Sequence, residues 1–320
     1  QVSSLFPLFK EQGYRVCVNV SERGKEILES DPNVDELLVQ ETDQVPNDCL
    51  TPYWENLSQC FDKFVQLSES IEGSLLLTPE REEEIRGERV LVEASKYYNL
   101  SREEIHEKCN VNYMERTHDL AGLPHKFYPK FYSTDEEKRR ANRRRKKIKS
   151  KHVILWALSG SSVHKVYPWT DAVMSRILMD RKDVSFVTVG DGLCELLEVG
   201  WEQEKRVITK SGKWSVRDTL AFLDTCDVVV GPETGVLNAA STLKCHKIVL
   251  LSHSSHENLS KHWKNTTALG PEDYPDYCFP CHKMHYGFST CNRDKETGGA
   301  MCAAKINPKN VVEDILRNLK

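Results

Sequence analysis

Apolar positions change their period several times along this chain, and the changes delimit its elements. Leu5, Leu8 and Phe9 recur at helical spacing up to Gly13, after which Val16, Val18 and Val20 alternate as in a strand. A short helix is predicted over residues 22–29, a turn at Asp31-Pro32-Asn33, and strands over 36–39 and 63–67. Helices are predicted over 79–98 and 101–120. A second run starts at His152 with HVILWAL, apolar throughout as in a strand buried on both faces. Further strands read at 184–190, 206–209, 227–231 and 247–252, with helices at 168–180, 193–203, 215–225 and 235–244. Ser215, three residues before Asp218, is an N-terminal cap for one of these. Asn307-Pro308 opens a last helix whose Val312, Ile315, Leu316 and Leu319 form one apolar stripe.

Alternating helices and strands imply parallel sheets covered on both sides, and 320 residues suit two domains of roughly 150 residues. The expected organisation is two Rossmann-like halves. Residues 1–132 form the first, 133–151 a basic linker helix, 152–306 the second with a cysteine-rich segment at 278–302, and 307–320 a terminal helix. With 39% hydrophobic and 29% charged residues the chain can bury a core and is not wholly disordered. No run approaches the roughly 18 to 20 apolar residues of a membrane span. Nothing at Gln1 reads as a signal peptide. The chain does not open on Met, so an N-terminal piece is expected to be missing.

The net charge of −4 hides an asymmetry, since ten of the fourteen residues from Lys138 to Lys151 are basic and none is acidic. This cassette either forms a solvated linker helix, supported by Asp135, Glu136 and Glu137 one turn upstream, or contacts a polyanion. No aromatic residue interleaves it as a platform for bases. Seven of the eleven cysteines are scattered, several within apolar patterns, which favours a reducing, cytoplasmic setting. The other four form Cys278-x2-Cys281-x9-Cys291-x10-Cys302, a set suited to tetrahedral zinc, with iron as the alternative and His282 and His285 as reserve ligands. Two disulfides or free thiols are the competing states. A four-thiolate ion has no open position, so its role would be structural.

Two loops carry the candidate chemistry. In DVVVGPETGVLNAAS (residues 227–241), a buried strand runs into Gly231-Pro232-Glu233-Thr234-Gly235 and straight into a helix, so free backbone N–H groups face the end of the strand. After HVILWAL come Ser159-Gly160-Ser161-Ser162, His164-Lys165 and Tyr167-Pro168-Trp169, with Lys165 as a point charge for phosphate. Each loop alone also reads as an ordinary strand-to-helix connector. Glu69 and Glu72 follow the predicted strand at 63–67 as candidate acceptor-binding groups or a base, and Asn110, Asn112 and Tyr113 form a second polar cluster. His253 and His256 follow the strand ending at Ser252.

The G-P-E-T-G turn with its small-residue helix, preceded by the Ser/Gly loop and K-x-Y-P-W, resembles the C-terminal half of glycosyltransferase family 9, the ADP-heptose heptosyltransferases and their relatives. The opening, with Ser21-Glu22-Arg23 and Asp31-Pro32-Asn33-Val34-Asp35-Glu36, is similar to that family's second strand and following helix. The resemblance implies a GT-B fold, two Rossmann-like domains facing a cleft with the C-terminal helix crossing back to the first. It also implies a transferase moving a sugar from a nucleotide-diphosphate sugar to an acceptor hydroxyl without metal in the chemistry. The implied donor-binding residues are Ser159, Ser161, Ser162, Lys165, Trp214, Ser215, Glu233, Thr234, Gly235 and Asn238.

Glu233 and Asn238 stand where the family usually has Asp and His, and Arg217 falls near a position where it often has a carboxylate at the donor ribose. The family's base is an Asp in a first glycine-rich loop, which would precede Gln1. Some relatives acting on proteins carry a cysteine-bound iron. The acceptor is a glycan, a protein or DNA. The competing function is a catalytically inactive protein of the same fold that binds nucleic acid or a partner.

Overall fold

A computed structural model of the chain describes residues 1–41, 44–45, 49–67, 80–85, 87–94, 97–160, 162–272, 278–283 and 291–319. In chain order, a 3-10 turn at Val2–Ser4 leads into α1 (Phe6–Glu11), β1 (Cys17–Ser21), α2 (Glu22–Leu28), β2 (Glu36–Gln40), α3 (Leu50–Ser58), β3 (Arg81–Ile85) and β4 (Glu88–Val92). Next come α4 (Arg102–Cys109), α5 (Tyr113–Ala121), α6 (Asp135–Lys147), β5 (His152–Ala157), α7 (Thr170–Asp180), β6 (Val184–Val189) and β7 (Val207–Thr209). The remainder comprises α8 (Val216–Leu223), β8 (Val228–Pro232), α9 (Gly235–Ala240), β9 (His246–Leu250), α10 (His256–Leu259), β10 (Thr266–Leu269), α11 (Met301–Ala304) and α12 (Pro308–Asn318). Two compact units result, one of residues 1–98 and 113–132, the other of residues 99–112 and 133–320.

In the first unit β1 and β2 pair in parallel, Cys17 opposite Glu36, and Leu5, Phe6, Leu8, Val16 and Leu28 form its core. Two expectations fail here. Where a helix is expected over 79–98, the described residues form β3 and β4, paired as an antiparallel hairpin, and Gly87 adopts a φ of 83° that reverses the chain where a helix would have to continue. The run of glutamates at 82–84, good helix formers, masks this turn. Among the described residues, 63–67 pair with no strand, although Val65 and Leu67 pack against the core as strand residues would.

The second unit is built on a six-stranded, all-parallel sheet of order β10-β9-β8-β5-β6-β7. Its central strands bury every side chain, which explains their unbroken apolar sequence. Trp156, Phe186, Val230 and Ile248 form the core with Val173 and Ile177 of α7. The apolar stripe of α12 is covered within this same unit. Val311 and Ile315 are fully buried in that core, Val312 and Leu316 pack on it, and Asp314 accepts from His246 of β9 at 3.0 Å.

The helix expected over 101–120 is broken into α4 and α5 at Asn110–Asn112. Those residues leave helical geometry, and their side chains hold the start of α10: Asn112 donates to the Glu257 carbonyl at 3.0 Å and Ser255, the cap of that helix, donates to Asn110 at 2.5 Å. α6 is a helix, capped by a box between Thr134 and Glu137. It is docked rather than free, packing on α8 through Ala141 and through Glu137, whose carboxylate grips Arg217 at 2.5 and 2.9 Å. Arg140 and Arg144 both donate to Asp218, at 2.6 and 2.8 Å. Lys138, Arg139, Arg143, Lys146, Lys147, Lys149 and Lys151 stay exposed.

Candidate functional site

Parallel strands deliver their following loops to one edge of the sheet, and the sequence puts polar loops after three neighbouring strands, β5, β8 and β9, the first two of them bearing glycine. Gly231, near the end of β8, lies so close to β5 that a Cβ there would be 2.8 Å from the Ala157 carbonyl oxygen and 2.8 Å from Leu237. This contact brings the turn at 232–235 against the loop at 159–165. Lys165 closes the junction, donating from Nζ to the Glu233 carbonyl at 3.1 Å. Ser162 is buried with its hydroxyl 2.7 Å from His164 Nδ1, and Ser159 is half-buried beside Gly160. The Thr234 hydroxyl accepts from Leu237 N at 3.3 Å, capping α9, while Gly235 is exposed and Asn238 half-buried on the first turns of that helix.

Glu233 faces inward. Its Oε1 accepts from the backbone N–H of Ser252 and of Ser254, each at 2.9 Å, and Oε2 accepts from the Ser252 hydroxyl and lies 3.2 Å from His253 Nδ1. Burial alone would raise this carboxyl, but His253, Lys165 and Ser252 outweigh it and hold Glu233 well below the ordinary carboxylate range. The turn after β8 and the loop after β9 are thereby locked to each other. The sequence carries no sign of this lock; there Glu233 reads only as a member of the turn.

Trp214 and Ser215 come from the far side, after β7, two strands from β5. Ser215 caps α8 by accepting from Asp218 N at 3.1 Å. Trp214 packs edge-on against Phe222, and the Arg144 guanidinium lies 4.6 Å above its ring. The preceding loop is held by Glu198, another residue with no signal in the sequence. Its buried Oε1 accepts from the Thr188 and Ser211 hydroxyls at 2.6 and 2.8 Å and from the N–H of Lys210 and Ser211. Arg217 is turned into α6 and its charge is matched by Glu137.

Ser161, Glu69, Glu72 and His285 lie outside the described residues. In the first unit a cavity of about 500 Å³ is lined by Phe6, Phe9, Val18, Val20, Trp54 and Phe64 among others, with no Asp or Glu in its wall. It offers no carboxylate base among the described residues.

Cys278, Cys281 and Cys291 are half-buried and Cys302 is buried, all as free thiols. They lie near enough to influence one another. Burial, then Cys278 and Cys291, push Cys281 up to about 12, and burial with Cys278 pushes Cys291 up to about 11. Burial likewise raises Cys302, with added push from Cys281 and Cys291. Among the described residues no group of three or more His, Cys, Asp or Glu is arranged to hold a metal. The sulfur set suits zinc or iron in its chemistry, but its geometry is not assembled. His282 adjoins the β9 loop instead. It is buried, its backbone N–H donates to the His253 carbonyl at 2.8 Å, and burial followed by His106 and His253 lowers its imidazole to about 3.

No family profile matches the sequence, and no curated protein matches it. Solved structures do. A family 9 glycosyltransferase from Veillonella parvula superposes with a TM-score of 0.66 over 99% of this chain and 92% of its own, at 11% identity. The Escherichia coli ADP-heptose lipopolysaccharide heptosyltransferase II gives 0.62 over 99% and 93%, at 14% identity. The iron-containing dodecameric glycosyltransferase TibC of enterotoxigenic E. coli gives 0.55 over 98% and 70%, at 10% identity. The chain therefore has the fold of the family 9 heptosyltransferases, the GT-B fold with two Rossmann-like units.

Proposed function

We propose that this chain is a glycosyltransferase that moves a sugar from a nucleoside-diphosphate sugar to an acceptor hydroxyl. The observation that carries this reading is the junction of the Ser159–Lys165 loop with the Glu233–Gly235 turn at adjacent strand ends, in a fold shared with heptosyltransferases. Lys165 and the backbone N–H groups at Thr234 and Gly235 take the diphosphate. Trp214 and Ser215 stand two strand spacings away, about 10 Å, a span that suits the nucleoside end of the same ligand. As the acceptor hydroxyl attacks the anomeric carbon, its proton passes to a general base, and the bond from that carbon to the phosphate oxygen breaks with its electron pair staying on the diphosphate. Lys165 and the turn stabilise that charge with no metal in the step.

The remaining assignments belong to the same proposal. Cys278, Cys281, Cys291 and Cys302 hold one structural zinc or iron, supported by the mutual influence of the four sulfurs and by an iron-containing protein among the structural neighbours. The exposed stripe Arg139, Arg143, Lys146 and Lys147 meets a polyanionic acceptor or surface. Eleven free cysteines accord with a reducing, cytoplasmic setting, and among the described residues no helix is long and apolar enough to cross a membrane.

Incubation with a panel of nucleotide sugars tests the reading. Slow release of nucleoside diphosphate from one member, lost in Lys165→Ala, is expected; a panel left intact, with no member raising the melting temperature, would refute it.

A further inference from the structure

One buried pair beside the donor site, Glu233 and His253, has so far only a structural task, the lock between the two loops. Every hydrogen bond to the Glu233 carboxylate comes from the loop after β9, and the His253 ring is pinned there through Nδ1 at 3.2 Å. Of the three buried imidazoles in this region, those of His164 and His282 have Nε2 sealed from solvent. His253 is 4% exposed, and its Nε2 takes no hydrogen bond from the described residues. A carboxylate therefore fixes one nitrogen of this ring and leaves the other without a partner among the described residues. The same Glu233 receives Lys165 on its backbone carbonyl, so the ring and the ammonium share one anchor.

We propose that His253, oriented by Glu233, is a second contact for the donor's diphosphate, acting beside Lys165. The inference rests on the nucleoside-diphosphate reading above and assigns it a further residue. In a protonated imidazole both nitrogens donate. Nδ1–H is then taken by Glu233, and Nε2–H is offered to a phosphate oxygen as a charge-assisted bond that strengthens while the leaving diphosphate gains charge. Glu233 is a positioning residue; it holds the ring and meets no ligand itself.

The described groups facing this ring come from several elements. Glu233 lies in the turn after β8. Lys165 and His164 come from the loop after β5, the His164 ring centroid 5.6 Å away. His282 comes from the cysteine-bearing segment, and Ser252 Oγ lies 3.4 Å from Nδ1. Glu233 is the one carboxylate among them.

Calorimetric titration of the full chain with ADP, GDP, UDP and CDP, and with the matching monophosphates, tests the assignment. For the best diphosphate, His253→Asn is expected to weaken binding about ten- to a hundredfold, the range for one charge-assisted hydrogen bond. Monophosphate affinity should stay unchanged. Glu233→Gln should weaken the diphosphate in the wild-type background and add nothing in the His253→Asn background, a result that general loosening of the loop does not give. His253→Gln serves if the Asn variant does not fold. Unchanged diphosphate affinity in the variant, or an equal loss for mono- and diphosphates, overturns the role of His253 while leaving the donor reading standing. A wild-type chain that binds no nucleoside diphosphate overturns both.

Discussion

Replacing Glu137 by Gln should separate α6 from α8 and unfold the second unit several degrees earlier. The side chains of Glu137 and Arg217 are only 9% and 7% exposed, and two bonds of 2.5 and 2.9 Å join them. The hydrogen bond from Arg217, offset in part by burial and helped by Thr134, holds Glu137 at about 2 against an ordinary 4.5. At about 1.4 kcal/mol per unit this is about 3 kcal/mol, and leaving a buried guanidinium uncompensated is worth about 3 to 5 kcal/mol by a separate route. At about 2 to 4 °C per kcal/mol for a unit of this size, the melting temperature at pH 7 should fall by roughly 6 to 12 °C. Because the folded-state value is depressed, the contribution is complete above the ordinary glutamate range and is lost as pH falls from about 4.5 towards about 2. The wild type should therefore lose stability over that window and Glu137→Gln should lose less. Thermal unfolding by circular dichroism across pH 7 to 2 reads both effects, with the exposed Arg139→Gln as a control expected to stay within about 0.5 kcal/mol. A drop at pH 7 under about 1 kcal/mol would show that α6 is a linker after all.

Gly231→Ala should destabilise the second unit by about 1 to 3 kcal/mol, since the new methyl meets the Ala157 carbonyl and Leu237 at 2.8 Å; unchanged urea unfolding would mean that the β5–β8 contact is looser than described. Elemental analysis of reduced, tag-free protein should give about one zinc or iron per chain, and Cys281→Ser should lower both that ratio and the protease resistance of residues 278–302. Metal-free protein with four alkylatable thiols and equal stability would show that these cysteines hold no ion.

Much of the second unit was legible in the sequence because buried parallel strands leave an unmistakable trace. HVILWAL and DVVVG have no polar interruption after their first residue, and Gly231 and Ser215 mark the chain's turns and caps at the positions where the structure has them. The first unit was harder. Glutamates at 82–84 favour a helix locally, yet the positive φ of Gly87 and pairing with Val90–Val92 decide for a hairpin, a tertiary outcome that propensity does not contain. Asn110 and Asn112 break one helix into two, and their side chains meet Ser255 and Glu257, some 145 residues away in sequence. The site showed the same division. Lys165 and Thr234 were visible from their loops, whereas Glu198 and the inward lock of Glu233 on Ser252 and Ser254 depend on which strands become neighbours. The basic cassette showed its charge but not its docking, which rests on Glu137 meeting Arg217.

The glycosyltransferase reading depends on the junction of Lys165 with the Glu233–Gly235 turn holding a nucleoside diphosphate. Calorimetry of wild type and Lys165→Ala with the best-binding diphosphate puts that junction to the test. The substitution should weaken binding by about 1.5 to 3 kcal/mol, the worth of a charge-assisted contact, while far-ultraviolet circular dichroism shows the fold retained. Equal affinity in the two proteins would mean that the diphosphate does not sit there.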